Sequence, residues 1–354
     1  MITITSLIRP NIAALQPYSS AREEYNGTIG IFLDANENPF DTSDSFIPYN
    51  KLHLHRYPDP YQKKLKQKLA AIHGIGTDNI FIGNGSDEVI DLALRIFCNP
   101  GKDTAIICPP TYGMYEVAAT INDIGIISLP LDTDFQPDFD NILNANSKMI
   151  FLCSPNNPTG NTLNNIEYII QNFKGIVFVD EAYIDFSAQE SLLHKVNTYP
   201  NLIVSQTLSK AWGKAAIRIG FAYASKEIIA LYNKIKAPYN VSQLNQHEAM
   251  RTLEATDVFI QNKQVILSQR AWLTEQLSML SFVETVYPSD ANFILIKVNN
   301  ATVVYEKLRD EHIIVRNRHS VINNCLRITI GKPSENAKLI ESLYRFHDEE
   351  NIIY

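Results

Sequence analysis

The chain has 354 residues, 45% of them hydrophobic and 19% charged, with a net charge of -7. That length fits one large domain with a smaller one, and the composition is that of an ordinary soluble globular protein. The negative balance lacks the long basic run of a nucleic-acid surface, and no apolar stretch approaches a membrane span.

The first residues, Met1 to Arg9, carry no basic segment followed by an apolar block, so no secretory signal is expected. Four widely spaced cysteines (Cys98, Cys108, Cys153 and Cys325) read as buried thiols of a reducing, cytoplasmic compartment, neither bridged nor metal-bound. His53 and His55 form an H-x-H pair without a carboxylate or cysteine cluster, and no metal site is expected.

From about residue 60 helices and strands alternate. Helical spacing runs from Tyr61 to His73 and stops at Gly74. Ile80 to Ile82 is a short strand. A helix is expected over Ser86 to Phe97, with Ser86 as its N-cap. Strand Thr104 to Cys108, helix Thr111 to Ile121, strand Lys148 to Cys153, helix Asn164 to Phe173 and strand Gly175 to Asp180 follow. Leu202 to Ser205 and Ile217 to Ala224 close the series. Short strands that are apolar throughout predict a mostly parallel sheet sandwiched by helices. After Asn240 a long helical region reaches about residue 280. Strands near Ala291 to Val298, Ile313 to Arg316 and Leu326 to Ile330 then suggest a smaller α+β C-terminal domain. The predicted division is an N-terminal arm over residues 1–28, a large domain over 29–260 and a small one over 261–354.

In such a sheet, ligands bind beyond the C-terminal strand ends, and four polar motifs fall there. Gly83-Asn84-Gly85-Ser86-Asp87-Glu88 opens a helix, where backbone N–H groups and the helix dipole suit an anion. It is equally readable as a plain turn, and Glu88 occupies the third-glycine position of a dinucleotide fingerprint. Ser154-Pro155-Asn156-Asn157-Pro158-Thr159-Gly160 reads as a proline-glycine turn, or as a mount for the Asn157 amide. Asp180, ending an apolar strand in Val179-Asp180-Glu181-Ala182-Tyr183, is costly to desolvate unless it meets a cation or caps a helix. Thr207, Ser209 and Arg218 surround Lys210 with phosphate-binding groups. A desolvated lysine near an arginine has a depressed pKa and a nucleophilic amine. Lys214, one turn on, reads as structural.

Together and in this order, these blocks resemble the fold-type I aminotransferases that use pyridoxal 5'-phosphate. The resemblance covers nearly the whole chain. Narrower marks resemble the branch that takes a phosphate ester of an amino alcohol as donor and 2-oxoglutarate as acceptor. They are Pro17 to Arg22, Asn36-Glu37-Asn38-Pro39, Arg56-Tyr57-Pro58, Cys108 to Tyr115, Ala237-Pro238-Tyr239 and Cys325 to Gly331. Lys214 and Ala216 depart from the family, which usually has an apolar residue and a glycine there.

The resemblance implies that Lys210 carries the cofactor and moves the substrate proton, and that Asp180 keeps the pyridine nitrogen protonated. It implies further that Asn157 and Tyr183 bind the ring oxygen, and that Tyr112 stacks on the ring. Gly85, Ser86, Asp87, Ser209 and Arg218 would hold the phosphate. Tyr57 would reach in from the partner subunit of a homodimer with shared active sites. Arg327 would grip the substrate anion, helped by Arg316 and Tyr18. An aromatic amino-acid aminotransferase and a decarboxylase of a phosphorylated amino acid are the alternatives.

Overall fold

The structure is a computed structural model that describes residues 14, 29–40, 52 and 54–352. Tyr18, His53 and, apart from residue 14, the arm expected over residues 1–28 lie outside the described residues.

Twelve strands are present among the described residues. In chain order they are β1 (Ile31–Leu33), β2 (Ile80–Gly83), β3 (Thr104–Ile107), β4 (Gly125–Ser128), β5 (Met149–Cys153) and β6 (Ile176–Asp180). β7 (Leu202–Thr207), β8 (Gly220–Ala224), β9 (Val283–Val286), β10 (Phe293–Val298), β11 (Ile313–Asn317) and β12 (Cys325–Thr329) follow. Seven form one sheet in the order β2-β8-β7-β6-β5-β3-β4. All its pairings are parallel except the two made by β8. Apart from the edge strand β4, the strands are buried on both faces, and alternate residues feed two separate cores. Ile80, Ile150, Val177 and Val204 face one; Phe81, Phe151, Phe178 and Ile203 face the other. Doubly covered strands need no polar face, which is why they read as continuous apolar runs.

This topology builds the site. β3, β5, β6 and β7 run the same way, so Ile107, Cys153, Asp180 and Thr207 end along one edge. β8 runs against them, so its start at Gly220, just after Arg218, arrives at that same edge.

The second sheet has the order β1-β11-β12-β10-β9 and is packed by the Thr256–Ser278, Ala301–Asp310 and Pro333–Ile352 helices. Here the structure differs from the sequence-based division in two places. β1 pairs with β11, in parallel register Ile31 to Ile313, so these N-terminal residues join the C-terminal sheet. The expected boundary at residue 260 falls inside the Thr256–Ser278 helix. Three residues are too short a run to signal a strand, and only pairing over a separation of 282 residues (313 minus 31) fixes them.

Helix starts also shift. The helix expected from Thr111 begins at Met114. Ser86 is the first helical residue rather than the cap, which is Gly85 at φ 82°.

Lys214 is buried and pairs with Glu248 of the Gln243–Glu254 helix at 3.1 Å, and Glu248 also binds Arg251 at 2.8 Å. Removing one partner of a buried pair takes a countercharge from the other, whereas replacing both with apolar residues removes the desolvation cost. Glu248→Leu should therefore lose roughly 3 kcal/mol of stability, and Lys214→Met with Glu248→Leu should regain most of it. Urea unfolding checks this; a double variant as unstable as the single one would refute it.

Candidate active site

The strand-end edge and the second sheet enclose a cavity of about 680 Å³. Ser86, Asp87, Tyr112, Asn157, Asp180, Tyr183, Ser209, Lys210, Arg218, Arg316 and Arg327, all singled out in the sequence, line it. Gly85 supplies the backbone beside them. Tyr57 does not line the cavity; it is 80% exposed and stacks on Tyr239 with ring centroids 4.4 Å apart.

At the start of the Ser86–Phe97 helix, Glu88 accepts from the Asn84 N–H and from Asn240 Nδ2, which ties the loop down. A Cβ on Gly85 would lie 2.6 Å from Arg218 Nη2, and one on Gly220 would lie 2.4 Å from the Ser86 nitrogen. Glycine at both positions lets the helix start, β8 and the arginine converge. Arg218 donates to Asp87 Oδ2 at 3.3 Å, and Tyr112 donates to Asp87 Oδ1 at 3.2 Å. Ser86 Oγ is buried without a hydrogen-bond partner. Thr207 Oγ1 accepts from the Ser209 N–H at 3.0 Å and donates to Ile219 O at 3.0 Å, which fixes the turn ahead of Lys210.

Lys210 Nζ donates to Ala35 O at 3.1 Å and lies 5.6 Å from the centre of the Tyr183 ring. Burial lowers its amine to about 8, helped by the positive charges of Arg327 and Arg218 and opposed by Glu37 and Asp180. Asp180 is not a helix cap. Its Oδ1 accepts from the Ala182 N–H at 3.1 Å, closing a local turn, and its Oδ2 accepts from Tyr115 OH at 2.8 Å. Burial pushes its carboxyl up to about 6, against the two hydrogen bonds and with the help of the Asp87 charge. Burial also raises Tyr183 above the ordinary tyrosine range. Arg327 forks between Asn157 Oδ1 and Asp34 O, both at 2.6 Å. Arg316 stands opposite Arg327 in the antiparallel register of β11 and β12, and both are buried.

The chain matches the class I and II aminotransferase family over residues 28–343. It is 49% identical to a histidinol-phosphate aminotransferase of Cytophaga hutchinsonii, over 96% of this chain and 98% of that one. Identity to the histidinol-phosphate aminotransferase of Parabacteroides distasonis is also 49%, over 97% and 99% of the two chains. The fold is shared with the crystal structure of a histidinol-phosphate aminotransferase from Sinorhizobium meliloti in complex with pyridoxal-5'-phosphate. That match has a TM-score of 0.86 at 22% identity, over 97% and 98% of the chains.

The chain belongs to the class I and II aminotransferases. It is a pyridoxal-phosphate-dependent enzyme, and the cavity of this aminotransferase fits that cofactor on its own geometry. An unpartnered buried hydroxyl (Ser86), open helix N–H groups and Arg218 suit a phosphate. A buried carboxylate (Asp180) suits a ring cation, and a lysine with a lowered pKa lines the same cavity. Residues that could hold the cofactor are therefore Gly85, Ser86, Asp87, Ser209 and Arg218 at the phosphate, Asp180 at the ring nitrogen, and Asn157 and Tyr183 at the ring oxygen.

Sequence reading missed three contributors. Tyr115 was visible only as part of the Cys108 to Tyr115 block, yet it holds Asp180 across 65 residues. Asn36 donates to Tyr183 OH at 3.0 Å. Arg318 also lines the cavity.

A carboxyl whose folded pKa exceeds its unfolded one favours folding most at low pH, and that contribution is lost as pH rises through the folded value. For Asp180 the window runs from 3.8 to about 6. In the cofactor-free protein, Asp180→Asn should thus lose less stability than wild type across this window, and Tyr115→Phe should extend the wild-type loss to higher pH. Urea midpoints measured across that range check both, and parallel curves for wild type and Asp180→Asn would contradict the assignment.

Proposed function

We propose that this aminotransferase moves the amino group of L-histidinol phosphate to 2-oxoglutarate, giving imidazole-acetol phosphate and glutamate in histidine biosynthesis. The observation that carries this reading is the pair of buried arginines, Arg316 and Arg327, facing each other across β11 and β12. Like charges directly opposite on a sheet repel. A substrate anion between or beside them removes that repulsion and gains charge-assisted hydrogen bonds. Both half-reactions present such an anion: the phosphate ester of the donor and the side-chain carboxylate of glutamate. The relatives at 49% identity, named histidinol-phosphate aminotransferases, support the same substrate.

Bound in the cavity, pyridoxal 5'-phosphate supplies an electron sink for the bonds at the donor's Cα. The chain's own residues do the rest. Lys210 holds the cofactor through its amine and afterwards moves the proton at the donor's Cα; a pKa near 8 keeps that amine within reach of both protonation states near neutral pH. Asp180 keeps a proton on the ring nitrogen, with Tyr115 and the Ala182 N–H orienting its carboxylate. Tyr112, whose hydroxyl donates to Asp87, would stack on the ring. Asn157 and Tyr183 fix the ring oxygen, and Arg327, anchored to Asn157, is positioned with them.

The working unit is a homodimer in the cytoplasm. The exposed Tyr57–Tyr239 stack supports a partner surface, with Tyr57 reaching the phosphate of the neighbouring site. The four cysteines are free and buried, which suits a reducing compartment. No described helix is long and apolar enough to cross a membrane.

Reduction of the loaded protein with borohydride should fix the cofactor on Lys210, and a label on Lys214 would overturn the lysine assignment. Histidinol phosphate should exceed histidinol and phenylalanine as donor in kcat/KM. Losing a buried charge-assisted contact costs about 2–5 kcal/mol, so Arg327→Lys should cut the preference roughly thirty- to several-thousandfold while cofactor stays bound. Phenylalanine as the better donor would replace this reading with an aromatic aminotransferase. Carbon dioxide release from a phosphorylated amino acid without amino transfer would replace it with a decarboxylase.

A further inference from the structure

The short segment after β1 touches three site residues in turn. Asp34 O accepts from Arg327, Ala35 O accepts from Lys210, and Asn36 Nδ2 donates to Tyr183 OH. Asn36 and Tyr183 are 1% and 4% exposed, so no bulk water competes for the last bond. The orientation of the Asn36 amide follows from its other partners. Its backbone N–H donates to Thr329 Oγ1 at 3.0 Å. The Thr329 hydroxyl, already accepting, turns its own proton to Asn36 Oδ1, also at 3.0 Å. That leaves the NH₂ group facing Tyr183. Asn292 Nδ2 donates to Asn36 O at 3.2 Å and completes the anchorage on the second sheet. Asn36 sits at φ 53°, a left-handed backbone that asparagine tolerates better than most residues.

A hydroxyl has one proton and two acceptor lone pairs. Because Tyr183 accepts from Asn36, its proton points elsewhere, and the cavity it lines offers the place. We propose that Asn36 is a positioning residue that fixes the Tyr183 hydroxyl as a hydrogen-bond donor into the cavity, toward the ring oxygen of the cofactor. The inference rests on the pyridoxal-phosphate reading above. It assigns Asn36 a function through Tyr183, and makes a residue anchored on the second sheet set the proton direction of one attached to the first.

The test compares Asn36→Asp and Asn36→Gly with wild type, Tyr183→Phe and the Asn36→Asp/Tyr183→Phe double variant. Aspartate keeps the shape but accepts where asparagine donates, so it draws the Tyr183 proton away from the cavity. Glycine removes the amide and keeps the left-handed backbone without strain. Each protein is titrated with pyridoxal 5'-phosphate for its dissociation constant, and the pH midpoint of the bound visible band is recorded. A donor on the ring oxygen favours the form of the Lys210 linkage that has lost its proton, so losing the donor raises the midpoint. Asn36→Asp should raise it by roughly one pH unit and weaken cofactor binding about tenfold. Asn36→Gly should shift it the same way by less. In the Tyr183→Phe background, Asn36→Asp should add little, because the hydroxyl through which it acts is gone. A residue that merely supported the fold would lower the melting temperature and leave the midpoint in place. An unmoved midpoint in both Asn36 variants overturns the proposal, and so does a full shift that persists without the Tyr183 hydroxyl. A wild-type protein that binds no cofactor overturns the pyridoxal-phosphate reading, and this inference with it.

Discussion

The site depends on keeping the Lys210 amine out of water while arginines surround it. Burial and the Arg327 charge both work against the ammonium form. Such a group stays in place only if backbone and side-chain acceptors meet it. Ala35 O provides that acceptor, and the neighbouring Asp34 O does the same for Arg327. Both carbonyls lie just past β1, whose pairing with β11 fixes their height over the cavity. A three-residue strand thereby accounts for the way two sheets with separate cores close on one cavity. Tyr183 and Ala211, from the loops of the first sheet, are buried in the core of the second, which ties the two halves at this point.

Much of the large sheet was legible because burial on both faces writes itself into the chain as short apolar runs. β5 and β6 begin one residue later than expected and end where expected, and the Ser86–Phe97 helix has the expected ends. The elements that escaped are those without such a run. β4 has a glycine and a serine among its four residues, lies at the sheet edge and is only partly buried. The Lys226–Ile235 helix went unread although Ser225 caps it through the Ile228 N–H. Its position beside the sheet and its burial of Ile228, Ile229 and Tyr232 become evident only in three dimensions. Ser86 illustrates a different limit. A serine before an apolar run is a good cap in general, but Gly85 takes the cap position at φ 82°, a backbone that glycine adopts without strain.

The same distinction separates the site residues that were found from those that were not. Asp180, Asn157, Lys210 and Ser209 lie at strand ends or in the turns just beyond them, and local sequence carries them. Tyr115 and Asn36 act through partners 65 and 147 residues away. Both stand in the sequence within longer family blocks, Asn36-Glu37-Asn38-Pro39 and Cys108 to Tyr115, but a tyrosine on a buried helix face and an asparagine after a short strand have ordinary structural explanations, so nothing local gives either one a role. Their meaning lies in the contact.

Lys214 and Ala216 show how a departure from family pattern can leave chemistry in register. They lie between Lys210 and Arg218, where a shift of one residue would move the arginine away from Asp87. Two residues in this stretch adopt left-handed backbone, Gly213 at φ 66° and Arg218 at φ 52°. Ala216 is not one of them; it lies in the short helical turn Ala215–Ile217, where alanine is at least as suitable as glycine. Lys214 carries more of the constraint. Its N–H donates to Leu208 O at 2.9 Å, closing the loop around Lys210, and its ammonium binds Glu248. The ion pair holds the loop against the Gln243–Glu254 helix, a contact that an apolar residue would make by packing. An apolar contact tolerates sliding, whereas a buried charge must meet its partner. The substitution therefore leaves the register between Lys210 and Arg218 unchanged and fastens it at one more point.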